Sequence, residues 1–166
     1  MPKNELTEVE INKVKEEIAY RQTELTPTLI AEVQRTRALG DLSENDEYRT
    51  AKRDLNRNYS RIRYLKNVLD NAVIVSYSSE NDAVGLFDHV TIRNEEDDEE
   101  SVITLTTPLR NDVLNGLISK ESPLGAAIIG HKVGDRVKVD VNEKYSYYVV
   151  IRALEKGSDD SELFIN

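Results

Sequence analysis

Residues 48–72 read YRTAKRDLNRNYSRIRYLKNVLDNA, and this stretch decides the fold of the first half of the chain. Tyr48, Leu55, Ile62 and Leu69 recur every seven residues at one position, and Ala51, Asn58, Leu65 and Ala72 do so at another. An apolar repeat of seven held over this length predicts a coiled-coil helix, because two such positions per heptad keep one stripe facing a partner. Asn58 is the one polar member. A buried Asn at such a position fixes register at some cost in stability.

Toward the N-terminus, Ile11, Val14, Ile18 and Leu25 hold a similar spacing, after which Leu29 and Val33 drift to a looser helical period. The drift follows Pro27, which lacks a backbone donor and predicts a kink. Thr26 would serve as a local cap there, with Pro27 at the first helical position. Between Thr7 and Ala72 there is one Gly, Gly40, and the turn between two helices is expected beside it. Asp41 or Ser43 would cap the second helix, with Asp46 near its third position. Two helices of roughly 30 residues then form an antiparallel hairpin about 45 Å long, with GDLSENDE, residues 40–47, at its tip.

The second half changes character. Segments 84–93, 101–106, 133–141 and 145–153 are rich in β-branched residues and tyrosine and predict strands. The run EEDDEE, residues 95–100, falls between the first two as a solvated loop. Ser122 and Pro123 mark a helix start, Leu124 to Ile129 a short apolar helix, and Gly130 its stop. Helices first and strands afterwards predict separate modules, so the fold class is α+β. The expected division is 1–76 for the hairpin, 77–157 for the α+β domain and 158–166 for a polar tail.

Composition narrows the function. A 39% hydrophobic and 32% charged chain is too polar for a membrane protein and too rich in apolar residues to be wholly disordered. No apolar run approaches a spanning helix and no secretory leader is visible, so a cytoplasmic protein without a membrane partner is expected. The absence of cysteine removes disulfide frameworks and thiolate metal sites. The net charge of −9 is unevenly spread: Met1 to Val75 carries 13 basic and 13 acidic residues, so the entire acidic excess lies beyond. A balanced first half leaves contact with nucleic acid open.

The tip gathers Asp41, Glu44, Asp46 and Glu47. Acids at a helix N-terminus stabilise it through the macrodipole by about 0.3–1 kcal/mol each, so capping alone is one account of them. Four exceed what capping requires, and hard oxygen donors at an exposed point suit Mg²⁺, which usually takes one or two protein carboxylates and keeps several waters. Such a set would need further ligands from elsewhere. Behind the tip, Arg49, Arg53, Arg57 and Arg61 follow at i, i+4 spacing outside the apolar seam, with Lys52 beside them. They are either a solvated face paired with Glu17, Glu24 or Glu32, or a stripe that tracks phosphates. His89 and His131 lack ligand-like neighbours and are expected to be structural. No phosphate-loop, nucleophile-elbow or HExxH motif is present, so a self-sufficient active site is not expected.

The tip sequence GDLSENDEYRTAK closely resembles the G-D-L-x-E-N-A-E-Y signature of the GreA/GreB transcription elongation factors. A second block, SKESPLGAAIIGHKVGD from Ser119 to Asp135, is similar to that family's C-terminal Ser-Pro-(Ile/Leu)-Gly segment. The departure is Asp46, where the family usually has Ala. The resemblance implies an FKBP-like C-terminal domain and a coiled coil that enters the secondary channel of bacterial RNA polymerase. It also implies that Asp41 and Glu44 help hold a Mg²⁺ completed by polymerase, so that the backtracked nascent RNA 3′ end is cut by polymerase's own site. The chain would then stimulate cleavage and would not itself be an enzyme. Arg49, Lys52, Arg53 and Arg57 would face polymerase or the extruded RNA, and the charge balance leans toward the GreA type. Two other readings stay open: a paralogue that inhibits through the same channel, suggested by Asp46, and a scaffold or chaperone that only binds proteins.

Overall fold

The computed structural model describes residues 3–40, 44–76 and 82–159, and the chain divides into two compact units, Met1–Ile74 and Val75–Asn166. In the first unit the elements are β1 (Asn4–Leu6), α1 (Glu8–Tyr20), a π-helical turn (Arg21–Leu25), α2 (Thr26–Arg37), α3 (Asp46–Asp70) and β2 (Ala72–Ile74). Thr7 and Glu10 start α1 with a capping box in which each side chain accepts from the other's backbone N–H. Partners across the hairpin run in opposite order, Glu17 with Arg61, Thr26 with Asn58 and Arg35 with Glu47, so the two arms are antiparallel.

Along the seam Val14 and Ile18 are buried on one arm, and Ala51, Asn58, Ile62, Leu65 and Val68 on the other. Val68, outside the strict heptad, is buried while Leu69 is only half-buried. Ala72, the final heptad position, is not helical at all: it begins β2, which pairs in parallel with β1. Both strands have three residues, too short to show an alternating pattern.

Pro27 does not break the helix. Thr26 has helical dihedrals and is not a cap; its backbone N–H and its hydroxyl both donate to the carbonyl of Arg21, the hydroxyl at 2.6 Å. A π turn thus stands just before the proline, within a helical arm that continues through it. Its consequence reaches across the seam. Asn58 Nδ2 donates to the Thr26 hydroxyl at 2.7 Å, and Arg21 Nη1 donates to Asn58 Oδ1 at 3.0 Å. Arg21 and Arg61 both donate to Glu17 Oε1, at 2.8 and 2.9 Å. Burial raises the Glu17 pKa, but the hydrogen bonds from Arg61 and Arg21 outweigh it and hold the carboxyl below its ordinary value.

The second unit is a five-stranded sheet of β3 (His89–Asn94), β4 (Glu100–Thr106), β5 (Leu117–Ser119), β6 (Arg136–Asn142) and β7 (Tyr145–Glu155), in the order β5-β4-β3-β7-β6. Helix α4 (Pro123–Ile128) lies between β5 and β6, completing an α+β domain of the kind expected. Its N-cap is Ser122, whose hydroxyl accepts from the Gly125 N–H. A methyl at Gly125 would stand 2.1 Å from the Ser119 carbonyl oxygen, so close packing of backbone on backbone explains that glycine. Residues 84–88 are not strand, contrary to expectation. They form a turn with Phe87 at φ 66°, and their apolar side chains enter the core from a loop. Expected strand 133–141 begins only at Arg136, because Lys132 to Asp135 form a turn in which Asp135 Oδ2 accepts from the Lys132 N–H.

Candidate functional site

Helix α2 ends at Arg37 and α3 begins at Asp46. Asp41 and Ser43 lie outside the described residues. The α3 cap is instead Asn45, with extended dihedrals of φ −88° and ψ 93°. Its Oδ1 accepts from the Tyr48 N–H at 3.0 Å, while its Nδ2 donates to the Thr36 carbonyl at 2.7 Å. Thr36 is fully buried, and its hydroxyl donates to the Glu32 carbonyl one turn back. One side-chain amide therefore donates to a carbonyl at the end of one helix and accepts from an orphan N–H at the start of the next. Sequence offered a signal for this: Asn is among the strongest N-cap residues, and the acids Asp46 and Glu47 directly after it suit a first turn.

The acids of the tip separate by environment. Asp46 and Glu47 occupy the first turn of α3. Asp46 Oδ1 is 2.6 Å from Arg49 Nη2, and Glu47 is 3.5 Å from Arg35, which also holds Glu32 with two hydrogen bonds. Glu44 is exposed and makes no hydrogen bond or ion pair among the described residues. It offers a hard oxygen donor of the type Mg²⁺ takes singly or in pairs. Among the described residues no group of three or more metal-binding side chains converges, so a complete metal site is not built from them.

Behind Glu44, α3 has two unlike faces. Arg49, Lys52, Arg53 and Arg57 line one shallow groove with Asn56 and Ser60. Lys52 Nζ sits 5.3 Å from the centre of the Tyr48 ring, and Arg53 and Arg57 are exposed without ion pairs among the described residues. Arg61, the fourth of the arginine row, turns away to bind Glu17 through two hydrogen bonds and belongs to the seam. The other groove, toward α2, is lined by Glu32, Arg35, Asp46, Glu47, Thr50, Ala51 and Asp54. Cations gathered on one face, with acids directed to the other, create a positive local potential that attracts anions.

His89 contacts the Thr104 hydroxyl and His131 contacts Asp135, both at the surface. No helix among the described residues is long and apolar enough to cross a membrane.

Comparison with known proteins covers both units. The family model for the transcription elongation factor N-terminal domain of GreA/GreB matches residues 4–74, and that for the GreA/GreB C-terminal domain matches residues 79–154. The transcription elongation factor GreA of a Thermotoga species is 37% identical over 156 residues, covering 94% of this chain and 100% of that one. GreA of Clostridium acetobutylicum is 33% identical over 142 residues, covering 85% and 90%. Among solved structures, GreA factor homolog 1 of Thermus thermophilus is 23% identical, with 92% of this chain and 99% of that one covered and a TM-score of 0.43.

Proposed function

The chain belongs to the GreA/GreB family of transcription elongation factors, and from that premise we propose that it inserts its hairpin into the secondary channel of bacterial RNA polymerase. There it stimulates cleavage of the backtracked nascent RNA 3′ end and so rescues arrested complexes in the cytoplasm. The observation that carries this reading is Glu44: an exposed carboxylate, without a hydrogen bond or ion pair among the described residues, one residue before the cap of a helix whose next turns display cations. Asp41 and Glu44 would hold a Mg²⁺ jointly with polymerase. When bound, that ion neutralises charge at the phosphodiester and makes a water more acidic.

The remaining work falls to this chain's own side chains. Arg49, Lys52, Arg53 and Arg57 face polymerase or attract the phosphates of the extruded RNA, and counterion release makes phosphate attraction salt-dependent. Asp46 and Glu47 stay with the arginines and the helix N-terminus. Asp46 is the feature that would favour an inhibitor working through the same channel; its exposed pairing with Arg49 supports a role in the first turn of the helix. The bond is cut in polymerase, so the chain acts as a stimulating factor and not as an enzyme.

The test is a halted, backtracked elongation complex given wild-type protein or the Asp41→Ala/Glu44→Ala double variant. Wild type is expected to shorten the RNA, and the double variant to bind polymerase without doing so. Full cleavage by the double variant would overturn the mechanism. Inhibition of synthesis by wild type, without cleavage, would favour the inhibitor instead.

A further inference from the structure

We propose that Asn45 is a positioning residue for the Glu44 carboxylate, acting by locking the exit of α2 to the entry of α3; the inference rests on the function proposed above. The cap alone does not require asparagine. Asp and Ser accept a hydrogen bond from the third N–H of a helix as well as Asn does. What only the amide adds is a donor, and here that donor is spent on the buried end of the other helix, the Thr36 carbonyl at 2.7 Å. The same carbonyl accepts from the Leu39 N–H at 3.1 Å, so both of its acceptor sites are occupied and α2 closes on a fixed turn.

Glu44 is bonded directly to Asn45, its Cα one peptide unit of about 3.8 Å away. The dihedrals of Asn45 set the direction from which the chain enters α3, and two hydrogen bonds to two different helices fix the Asn45 side chain. Without the donor, α3 keeps its cap but its start is no longer tied to the end of α2. The carboxylate of Glu44 would then sample several positions relative to the hairpin axis. A displacement of about 1 Å in a positioned group can cost on the order of a hundredfold in rate, while contacts along the hairpin remain intact. The consequence is a loss in maximal rate with little loss in affinity.

Two variants isolate the donor. Asn45→Asp keeps the cap acceptor and places a carboxylate oxygen against the Thr36 carbonyl; Asn45→Ser keeps a cap acceptor that is too short to reach it. Each is assayed on backtracked complexes for the factor concentration giving half-maximal cleavage, for the rate at saturating factor, and for the Mg²⁺ concentration required. The expected result for both is half-saturation within about twofold of wild type, a maximal rate lower by on the order of tenfold or more, and a higher Mg²⁺ requirement. Helix content and melting temperature are measured in parallel. An unchanged maximal rate overturns the proposal. So does weakened half-saturation with rate preserved, or a loss of helix content that accounts for the lost rate, since Asn45 would then serve docking or folding only. Failure of wild type to stimulate cleavage would count against the proposed function itself, and is distinguishable from these outcomes.

Discussion

The two units hold themselves together by different means. In the hairpin, the middle of the seam is polar: Glu17, Arg21, Thr26, Asn58 and Arg61 form one connected set beside the π turn. In the sheet domain the central cluster is apolar throughout, from Val84 to Ile151, and its buried charges, Asp88 and the Arg110–Asp159 pair, stand outside that cluster. A two-helix hairpin can slide by a turn or rotate on its seam with little change in buried area, so apolar contacts alone would leave its register loose. A five-stranded sheet is already registered by its ladders and can rely on burial. The hairpin thus gives up apolar contact for alignment, and alignment is what a working tip needs.

The largest expected effect tests the burial side of that contrast. Leu105 is fully buried in β4 at the centre of the cluster. Leu105→Ala should cost about 2–5 kcal/mol, from lost burial together with the cavity left behind. Urea denaturation would measure it, and hydrogen exchange should show protection lost in β3, β4 and β7. A cost under about 1 kcal/mol would mean that the sheet domain does not depend on its core in the way described.

Next in size is a charged anchor of that domain. Asp88 is almost fully buried and accepts from Lys156 Nζ at 2.6 Å and from the N–H groups of Gly85 and Gly157 at 2.8 and 3.1 Å. Asp88→Ala leaves two backbone donors and one ammonium without it. Breaking a buried pair costs about 3–5 kcal/mol, and the partly exposed Lys156, which can return to water, brings the expected loss to about 2–3 kcal/mol. A variant as stable as wild type in urea would show that the strap ending β7 is held by packing alone.

Asn58 should behave in the opposite way. Asn58→Leu removes hydrogen bonds to Arg21 and Thr26 but adds apolar contact at a seam position, and such exchanges are often neutral or stabilising. Stability is expected to stay within about 1 kcal/mol of wild type or to rise. The maximal rate of RNA cleavage should nonetheless fall, since the tip inherits any slip in register. A variant with wild-type cleavage would separate the polar set from alignment.

These contrasts were unevenly visible in the sequence. The heptad from Tyr48, the turn beside Gly40 and the helix start at Ser122 could be read directly, because local periodicity and turn chemistry determine them. Asn58 could be identified as the odd member of the seam, but its partners could not, since Arg21 and Thr26 reach it only through a π turn that no local pattern announces. Strands β1, β2 and β5 have three residues each and exist through pairing with distant segments. Residues 84–88 look like strand because they are apolar, yet they feed the core from a loop. At the tip, residue types pointed to a carboxylate site, whereas the division between Glu44 and the arginine-bound Asp46 and Glu47 depends on where α3 starts.

The smallest effect expected concerns how the polar set is charged. Desolvation raises the Glu17 pKa, and the hydrogen bonds from Arg61 and Arg21 overcome it, so the folded value lies below the ordinary one of about 4.3. A carboxyl depressed in the folded state contributes stability that is fully present above its unfolded pKa and is lost as pH falls through the folded value. The contribution should therefore be constant at neutral pH and disappear from just above pH 4.3 downward. Glu17 and its arginines are partly exposed, and solvent screening limits the effect to about 0.5–1 kcal/mol. Glu17→Gln keeps an acceptor for one arginine and removes the charge. Its melting temperature should lie below that of wild type at neutral pH, with the gap closing as acid protonates Glu17 in the native protein. A gap that stays constant down to about pH 3 would show that Glu17 holds the two arms by shape and neutral hydrogen bonding, and that the hairpin's alignment does not rest on charge.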